Sequence, residues 1–347
     1  MHIAFKFEYI HDNGLFTRLL NRIQELSAIP LSLYVEDTHY KIEALGDQAA
    51  LETLAEQISM LVPQSLFLRD YKIEEIDKED HNEMITASLP DKYQPFKVPY
   101  CPECQEKIIK TLNPFTPCTV CGFSETTLSM EDLSTFTGIT APSEEAFFLQ
   151  LANVLRENGE ITLPTYNGVR RFSLLSSKDK GRGILFCDPS NISDKFLITQ
   201  GELDSLMMVE KPTVRSKAKL KFRVENELDE PFYPLFFADD KVTLALSSVL
   251  KNQGVDAVFS DHIPTLRVAS ALDQHMIITT GRDMLPWKVD FNLKNASFCE
   301  YGGFQAYGNT NGLQVATKLN LKNQPYIQYA ANDEASQVTS AIHFEPA

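Results

Sequence analysis

Two Cys-x-x-Cys pairs constrain this chain more than any other feature: Cys101-Pro-Glu-Cys104 and Cys118-Thr-Val-Cys121, with 13 residues between them. Each pair forms a tight turn that aims two sulfurs at one point. Two such turns close a tetrahedral all-thiolate site of the kind Zn2+ prefers. Gly122 follows the last cysteine, where a knuckle calls for a backbone without a Cβ. The set contains no histidine and leaves no position open to water, so the expected role is structural. A redox Cys-x-x-Cys is the alternative, and two matched pairs argue against it. The spacing therefore predicts a small metal-folded module over residues 98–128, with Cys101, Cys104, Cys118 and Cys121 as ligands.

The chain of 347 residues has room for two or three domains. Hydrophobic residues make up 43%, but no apolar run reaches the length of a membrane span. The first residues, Met1-His-Ile-Ala-Phe-Lys-Phe-Glu, carry charge too early for a secretory leader. Thiolate ligands beside two isolated cysteines, Cys187 and Cys299, fit a reducing, cytoplasmic environment. The formal charge of −15 (32 basic, 47 acidic residues) opposes non-specific binding to nucleic acid or to an anionic membrane. It leaves room for a local cationic cavity.

Residues 1–78 read as strand, helix, strand, strand, helix, strand. His2–Ile10 alternates as a half-buried strand does, and Leu15, Leu19, Leu20, Ile23 and Leu26 recur at helical spacing. Leu31–Val35 and Tyr40–Leu45 flank a turn at Glu36-Asp37-Thr38, and Asp47 can cap a helix with Leu51, Leu54, Ile58 and Leu61 on its apolar face. This order is the ferredoxin-like βαββαβ arrangement. Residues 79–97 read as a charged linker, and Ser129–Thr140 as an acidic bridge. A larger α/β domain with a mixed sheet is expected over 140–300. It opens with a helix capped by Ser143 and stopped at Asn158-Gly159. Further helices are expected over Ser193–Thr199, Gln200–Met208 and Lys241–Asn252. Lys217, Lys219, Lys221 and Arg223 are expected to share one strand face. Residues 301–347 give no clear pattern.

Several segments, in this order, resemble a known family. Cys101-Pro-Glu-Cys104 and Asn113-Pro-Phe-Thr-Pro-Cys118-Thr-Val-Cys121-Gly122 are similar to its zinc knuckles. Leu151-Ala-Asn-Val-Leu-Arg-Glu-Asn-Gly-Glu160-Ile161 and Asn167-Gly-Val-Arg-Arg-Phe172 match stretches of its next domain in sequence. So do Gly201-Glu-Leu-Asp-Ser-Leu206 through Lys211-Pro-Thr-Val214, and Gly281-Arg-Asp-Met-Leu-Pro286-Trp287. Together they resemble the N-terminal half of the hydrogenase maturation carbamoyltransferase HypF. That family begins with an acylphosphatase-like domain, then zinc fingers, then a YrdC-like domain, then a carbamoyl-transfer domain. The resemblance implies handling of ATP and carbamoyl phosphate and a hydrogenase maturation protein as partner.

The departures from the family are specific. HypF proteins carry two zinc sites, and this chain has cysteines for one. Arg18, preceded by Gly14, stands where the acylphosphatase phosphate loop ends in its catalytic Arg, but Asp12 adds a negative charge there. The middle turn has Glu36-Asp37-Thr38 in place of the family's water-orienting Asn. The resemblance implies cations lining the nucleotide cavity. The candidates are Lys178, Lys180 and Arg182, with Arg170 and Arg171 nearby in sequence; the family's following Lys-Pro is missing. The residues after 300 are too few for a carbamoyl-transfer domain. The seven histidines form no His-x-His or HExxH set, and no nucleotide loop or nucleophile elbow is present. Two functions remain open at this point. One is a catalytically incomplete HypF-like protein, and the other is a non-catalytic zinc-containing module for a protein partner, with RNA less favoured.

Overall fold

The protein is represented by a computed structural model. It describes residues 1–9, 14–65, 68–76, 87–89, 99–124, 127–178, 180–198 and 200–264, together with the backbone of seven strands between residues 266 and 343. The loop residues His11 and Asp12, nearly all of the expected linker, and Gly281–Phe291 lie outside the described residues.

The first module runs β1 (His2–Tyr9), α1 (Leu15–Leu26), β2 (Leu31–Glu36), β3 (His39–Leu45), α2 (Gln48–Leu61) and β4 (Leu68–Glu75). Its sheet order is β2-β3-β1-β4, the ferredoxin-like topology that the alternation of β1 and the two helical patterns predict. Phe5, Phe7 and Tyr9 point inward from β1 and meet Phe16, Leu20 and Ile23 of α1 and Leu54 and Ile58 of α2. Tyr9 stacks on Phe16 at 4.3 Å, and Tyr40 meets the same ring edge-on at 4.9 Å. The Asp47 carboxylate accepts from Ala50 N at 2.9 Å, so the expected cap of α2 is in place.

Next come α3 (Pro102–Thr111) and α4 (Met130–Thr137). The segment Ser129–Thr140, expected as a bridge, is therefore mostly helix. Ser129 and Asp132 form a reciprocal capping box, and Gly138 takes the left-handed conformation that ends it, φ 71°. Ser-x-x-Asp before a short apolar pattern carries that signal, and the acidic composition hid it.

The larger module contains α5 (Glu144–Asn158), β5 (Glu160–Thr165), β6 (Gly168–Leu174), β7 (Gly183–Phe186), α6 (Ile192–Lys195), β8 (Phe196–Leu197), α7 (Gln200–Met207), β9 (Thr213–Ala218), α8 (Leu220–Glu225), β10 (Phe232–Phe236), α9 (Lys241–Asn252) and β11 (Ala257–Ser260). Its mixed sheet has the order β12-β9-β10-β7-β11-β6-β5, with β12 (Leu266–Ala271) leading outward to three later strands. β10 and β7 run parallel, while β11 is antiparallel to both its neighbours.

Two expectations are corrected here. The helix over Ser193–Thr199 stops at Lys195, because Phe196 and Leu197 pair with Ala218 and Lys217. The basic residues 217–223 do not share a strand face: β9 ends at Ala218, and Lys221 and Arg223 belong to α8. The outward residues of α8, Leu220 and Val224, are 74% and 70% exposed, so its alternation of charged and apolar residues mimicked a strand without burying one.

Side chains of β7 and of the residue after it alternate between two cores. Ile184 and Phe186 pack in a core that continues into the first module, and Leu185 and Cys187 pack in one shared with α5 and α9. This second core also takes Leu15 and Leu19 of α1 and Tyr100, Ile108 and Val120 of the cysteine module. The cysteine module thus sits between α1 and the large sheet's helices. Among the described residues, no helix is long and apolar enough to cross a membrane.

Candidate metal centre

The four cysteines converge. Cys101 is the N-cap of α3, with Pro102 at the first helical position, where a missing N–H costs nothing. Its sulfur accepts from Cys104 N at 3.5 Å. The second knuckle closes through Cys118 N donating to Phe123 O at 2.9 Å. Gly122 turns it with φ 70°, as its position after the last cysteine predicts. The Cys101 and Cys118 sulfurs are 3.7 Å apart, and so are those of Cys104 and Cys121. All four lie within 4.8 Å of one another.

A tetrahedral zinc with bonds of about 2.3 Å has sulfur–sulfur edges of about 3.8 Å, so the donor set fits that ion. A disulfide needs about 2.05 Å, and none is formed. Hydrogen bonds among the crowded sulfurs, that to Cys104 first, push the Cys101 thiol up, while those from Cys101 and Cys104 hold Cys118 far down. The cluster cannot keep four independent protons, and a dication would relieve it.

Cationic side chains from both flanking modules close around this centre. Arg18 Nη1, from α1, donates to Cys121 O at 2.7 Å. A Cβ on Gly122 would lie 1.8 Å from that nitrogen, so the glycine admits the guanidinium as well as the turn. From the other side, Lys241 at the start of α9 lies with its Nζ 3.3 Å from the centroid of the Phe123 ring. Lys241 is 2% exposed, and among the described residues no carboxylate is within ion-pair distance of it. It lines a small pocket together with Cys104 and Cys118. A tetrathiolate bearing a dication keeps two negative charges, and Lys241 is placed to offset one of them. Tyr100, just before the first cysteine, donates its hydroxyl to Ala238 O at 2.8 Å and ties the module to the loop before α9. Sequence reasoning missed Lys241. A lysine opening an apolar helix gives no local sign of which face it will occupy.

The other candidate residues are divided among several settings. Arg170 is 1% exposed on β6 and is held by both oxygens of Asp239, with Nη2 to Oδ2 at 2.8 Å. Asp240 adds its charge at 3.6 Å and caps α9 through Thr243 N at 2.9 Å. Burial pulls the guanidinium down, but the bonds and charge of Asp239 outweigh it and raise it. Lys180 Nζ donates to Leu175 O at 2.8 Å and Asn226 O at 2.9 Å, and lies over the Phe259 ring. Lys178 and Arg182 are exposed. Strand register sets Phe172 and Gly183 on either side of Ser260, which brings Arg171 and Arg182 to the same end of β11. Asp261 is already there, accepting from Arg171 N at 2.9 Å.

No family model matches the sequence, and no curated protein matches it. Solved structures do match. The crystal structure of HypF from T. kodakarensis aligns with 75% of this chain at 12% identity, with a TM-score of 0.51. A full-length HypF in a phosphate- and nucleotide-bound form aligns with 89% at 11% identity, with a TM-score of 0.40. The chain spans 42% of the first of these proteins and 55% of the second. Over three quarters of its length, then, this chain carries a diverged form of the fold seen in HypF.

Proposed function

We propose that this chain is a HypF-like protein of [NiFe]-hydrogenase maturation, built around one structural Zn2+ and catalytically incomplete. The convergence of four cysteines in a closed, all-sulfur set carries the metal part of this reading. Cys101, Cys104, Cys118 and Cys121 would hold the ion, which would supply a cross-link between two knuckles and no open coordination position. Arg18 and Lys241 would hold the loaded module against its two neighbours. The maturation role rests on the fold likeness and on the order of modules. In that role the large module would handle nucleotide and carbamoyl phosphate, with Lys178 and Arg182 as the cations facing solvent and Arg171 half-buried beside Glu160, in a cytoplasmic setting beside a maturation partner.

One observation favours a second reading, a non-catalytic module that binds a protein partner. Arg170 is spent on Asp239 and Asp240, and Arg18 on the Cys121 carbonyl, so two of the cations an anionic substrate would need are engaged within the fold. Calorimetric titration of the zinc-loaded chain with ATP, with and without carbamoyl phosphate, separates the two. Binding that tightens with both ligands supports the first reading. Absence of heat with either ligand leaves the second.

A further inference from the structure

A cleft of about 420 Å³ opens where the three modules meet. Pro63 and Gln64 come from the end of the first module, Tyr100 and Gln105 from the cysteine module, and Met207 and Lys211 from the large one. Lys211 is its unusual member. It is 6% exposed, and its backbone is left-handed, φ 48°, a region that disfavours every residue with a Cβ. Its Nζ donates to Met207 O at 2.8 Å and lies 5.6 Å from the centre of the Tyr100 ring. Among the described residues, no carboxylate is within ion-pair distance of it. Glu210, next in the chain, accepts from the Ser65 hydroxyl.

An ammonium has three N–H donors, and one carbonyl engages one of them. Capping the end of α7 does not explain the burial. Met207 is 43% exposed and lines the cleft, and capping its carbonyl uses one of the three donors. A glycine would take the left-handed turn at lower cost. The fold therefore holds a left-handed backbone and a desolvated cation beside a cleft, with one carbonyl and the Tyr100 ring as partners of the ammonium and no carboxylate among the described residues.

We propose that this cleft is an oxyanion site, in which the Lys211 ammonium receives the carboxylate or phosphate group of a small organic anion whose apolar part lies on Tyr100, Met207 and Val209. The Gln64 and Gln105 amides line the same cleft and can supply further donors. Burial lowers the Lys211 amine to about 8, against the pull of Glu210, so it still carries its charge at neutral pH. The Tyr100 hydroxyl is raised well above its ordinary value by burial and stays neutral, and Asp204 lies exposed in the lining, accepting from Gln200 at 2.6 Å. This site borders the metal centre through Tyr100, Pro102 and Gln105 but includes none of its four cysteines or the loop over 178–182, and it does not depend on the maturation reading.

The test uses the zinc-loaded full chain with benzoate, phenyl phosphate and inorganic phosphate, at pH 7. Two readouts are taken: calorimetric binding, and the rate at which acetic anhydride modifies Lys211 relative to the other lysines, measured by peptide mass spectrometry. The account expects saturable binding of at least one aromatic anion and a several-fold slowing of Lys211 acetylation. It expects at least tenfold weaker binding in Lys211→Met, with thermal stability kept or raised. Preference for benzoate or phenyl phosphate assigns carboxylate or phosphate. Binding to inorganic phosphate alone would overturn the apolar half of the proposal. Unchanged acetylation in the wild-type chain, or equal binding by Lys211→Met, would overturn the whole. So would a Lys211→Met variant that loses stability while the wild type binds no anion, since Lys211 would then be only a helix cap.

Discussion

The cysteine module and the basic loop of the large module present the same sequence problem with opposite outcomes. Both are short runs of one chemical type. The four cysteines gather within 4.8 Å, whereas Arg170, Lys178, Lys180 and Arg182 are dispersed between a buried ion pair, the solvent and two backbone carbonyls. The difference is one of range. A Cys-x-x-Cys turn fixes two sulfurs through local geometry, and two turns need only meet once. A cation on a strand takes its role from the face it occupies and from what lies across the sheet, here an Asp239 contributed from 69 residues away. Local spacing is legible in a sequence, but the partner across a sheet is not.

The sharpest way to break this contrast is to remove the metal or a ligand. Cys104→Ser, or prolonged chelation, should cost on the order of 4–5 kcal/mol or more, because loss of a structural metal belongs to the largest class of single changes. Thermal unfolding checks this, and limited proteolysis should show cleavage first within residues 99–124. An unchanged melting curve would place the module on the same footing as the loop.

The next largest effect belongs to the buried pair. Arg170→Met leaves Asp239 and Asp240 uncompensated and should destabilise by about 3–5 kcal/mol. Arg170→Met combined with Asp239→Leu should recover a large part of that loss. A double-mutant cycle in denaturant measures the coupling. A small cost for Arg170→Met alone would return Arg170 to the ranks of available cations.

Lys241→Met sharpens the comparison from within the metal centre. Outer partners of metal ligands are worth roughly 10–100-fold in affinity. Competition with a chromogenic chelator should show zinc held at least tenfold less tightly, at little cost to the apolar packing of α9.

Lys211 gives a smaller, pH-dependent signature. Its folded value of about 8 lies below the ordinary lysine value of 10.5, so between these the unfolded chain binds more protons than the folded one. Stability should therefore rise as pH increases from about 8 toward 10.5, and that increment should vanish in Lys211→Met. Chemical denaturation of zinc-loaded protein at several pH values reads it. At the bottom of the scale, Lys178→Ala and Arg182→Ala should stay within about 0.5 kcal/mol of wild type, as exposed residues do.

The legible parts of the fold were those with short-range rules. Alternation along His2–Tyr9, the Asp47 and Ser143 caps and the Gly159 stop all stand where the sequence places them. Residues 220–225 show how the same rules fail. Alternating Lys and apolar side chains read as strand, yet after Ala218 the chain leaves the sheet, and Leu220 and Val224 end in solvent. The site shows the same division. The ligand set was readable from spacing alone, while Arg18, Lys241 and Lys211 acquired their places from contacts more than a hundred residues distant or from burial that no local pattern encodes.

The central claim is a closed four-sulfur zinc centre that holds the three modules together. X-ray absorption at the zinc edge on the purified chain tests it most directly. The account predicts one zinc per chain with four sulfur neighbours at about 2.3 Å and no nitrogen or oxygen in the shell. A shell containing oxygen or nitrogen, or a chain that folds with no zinc bound, would contradict it.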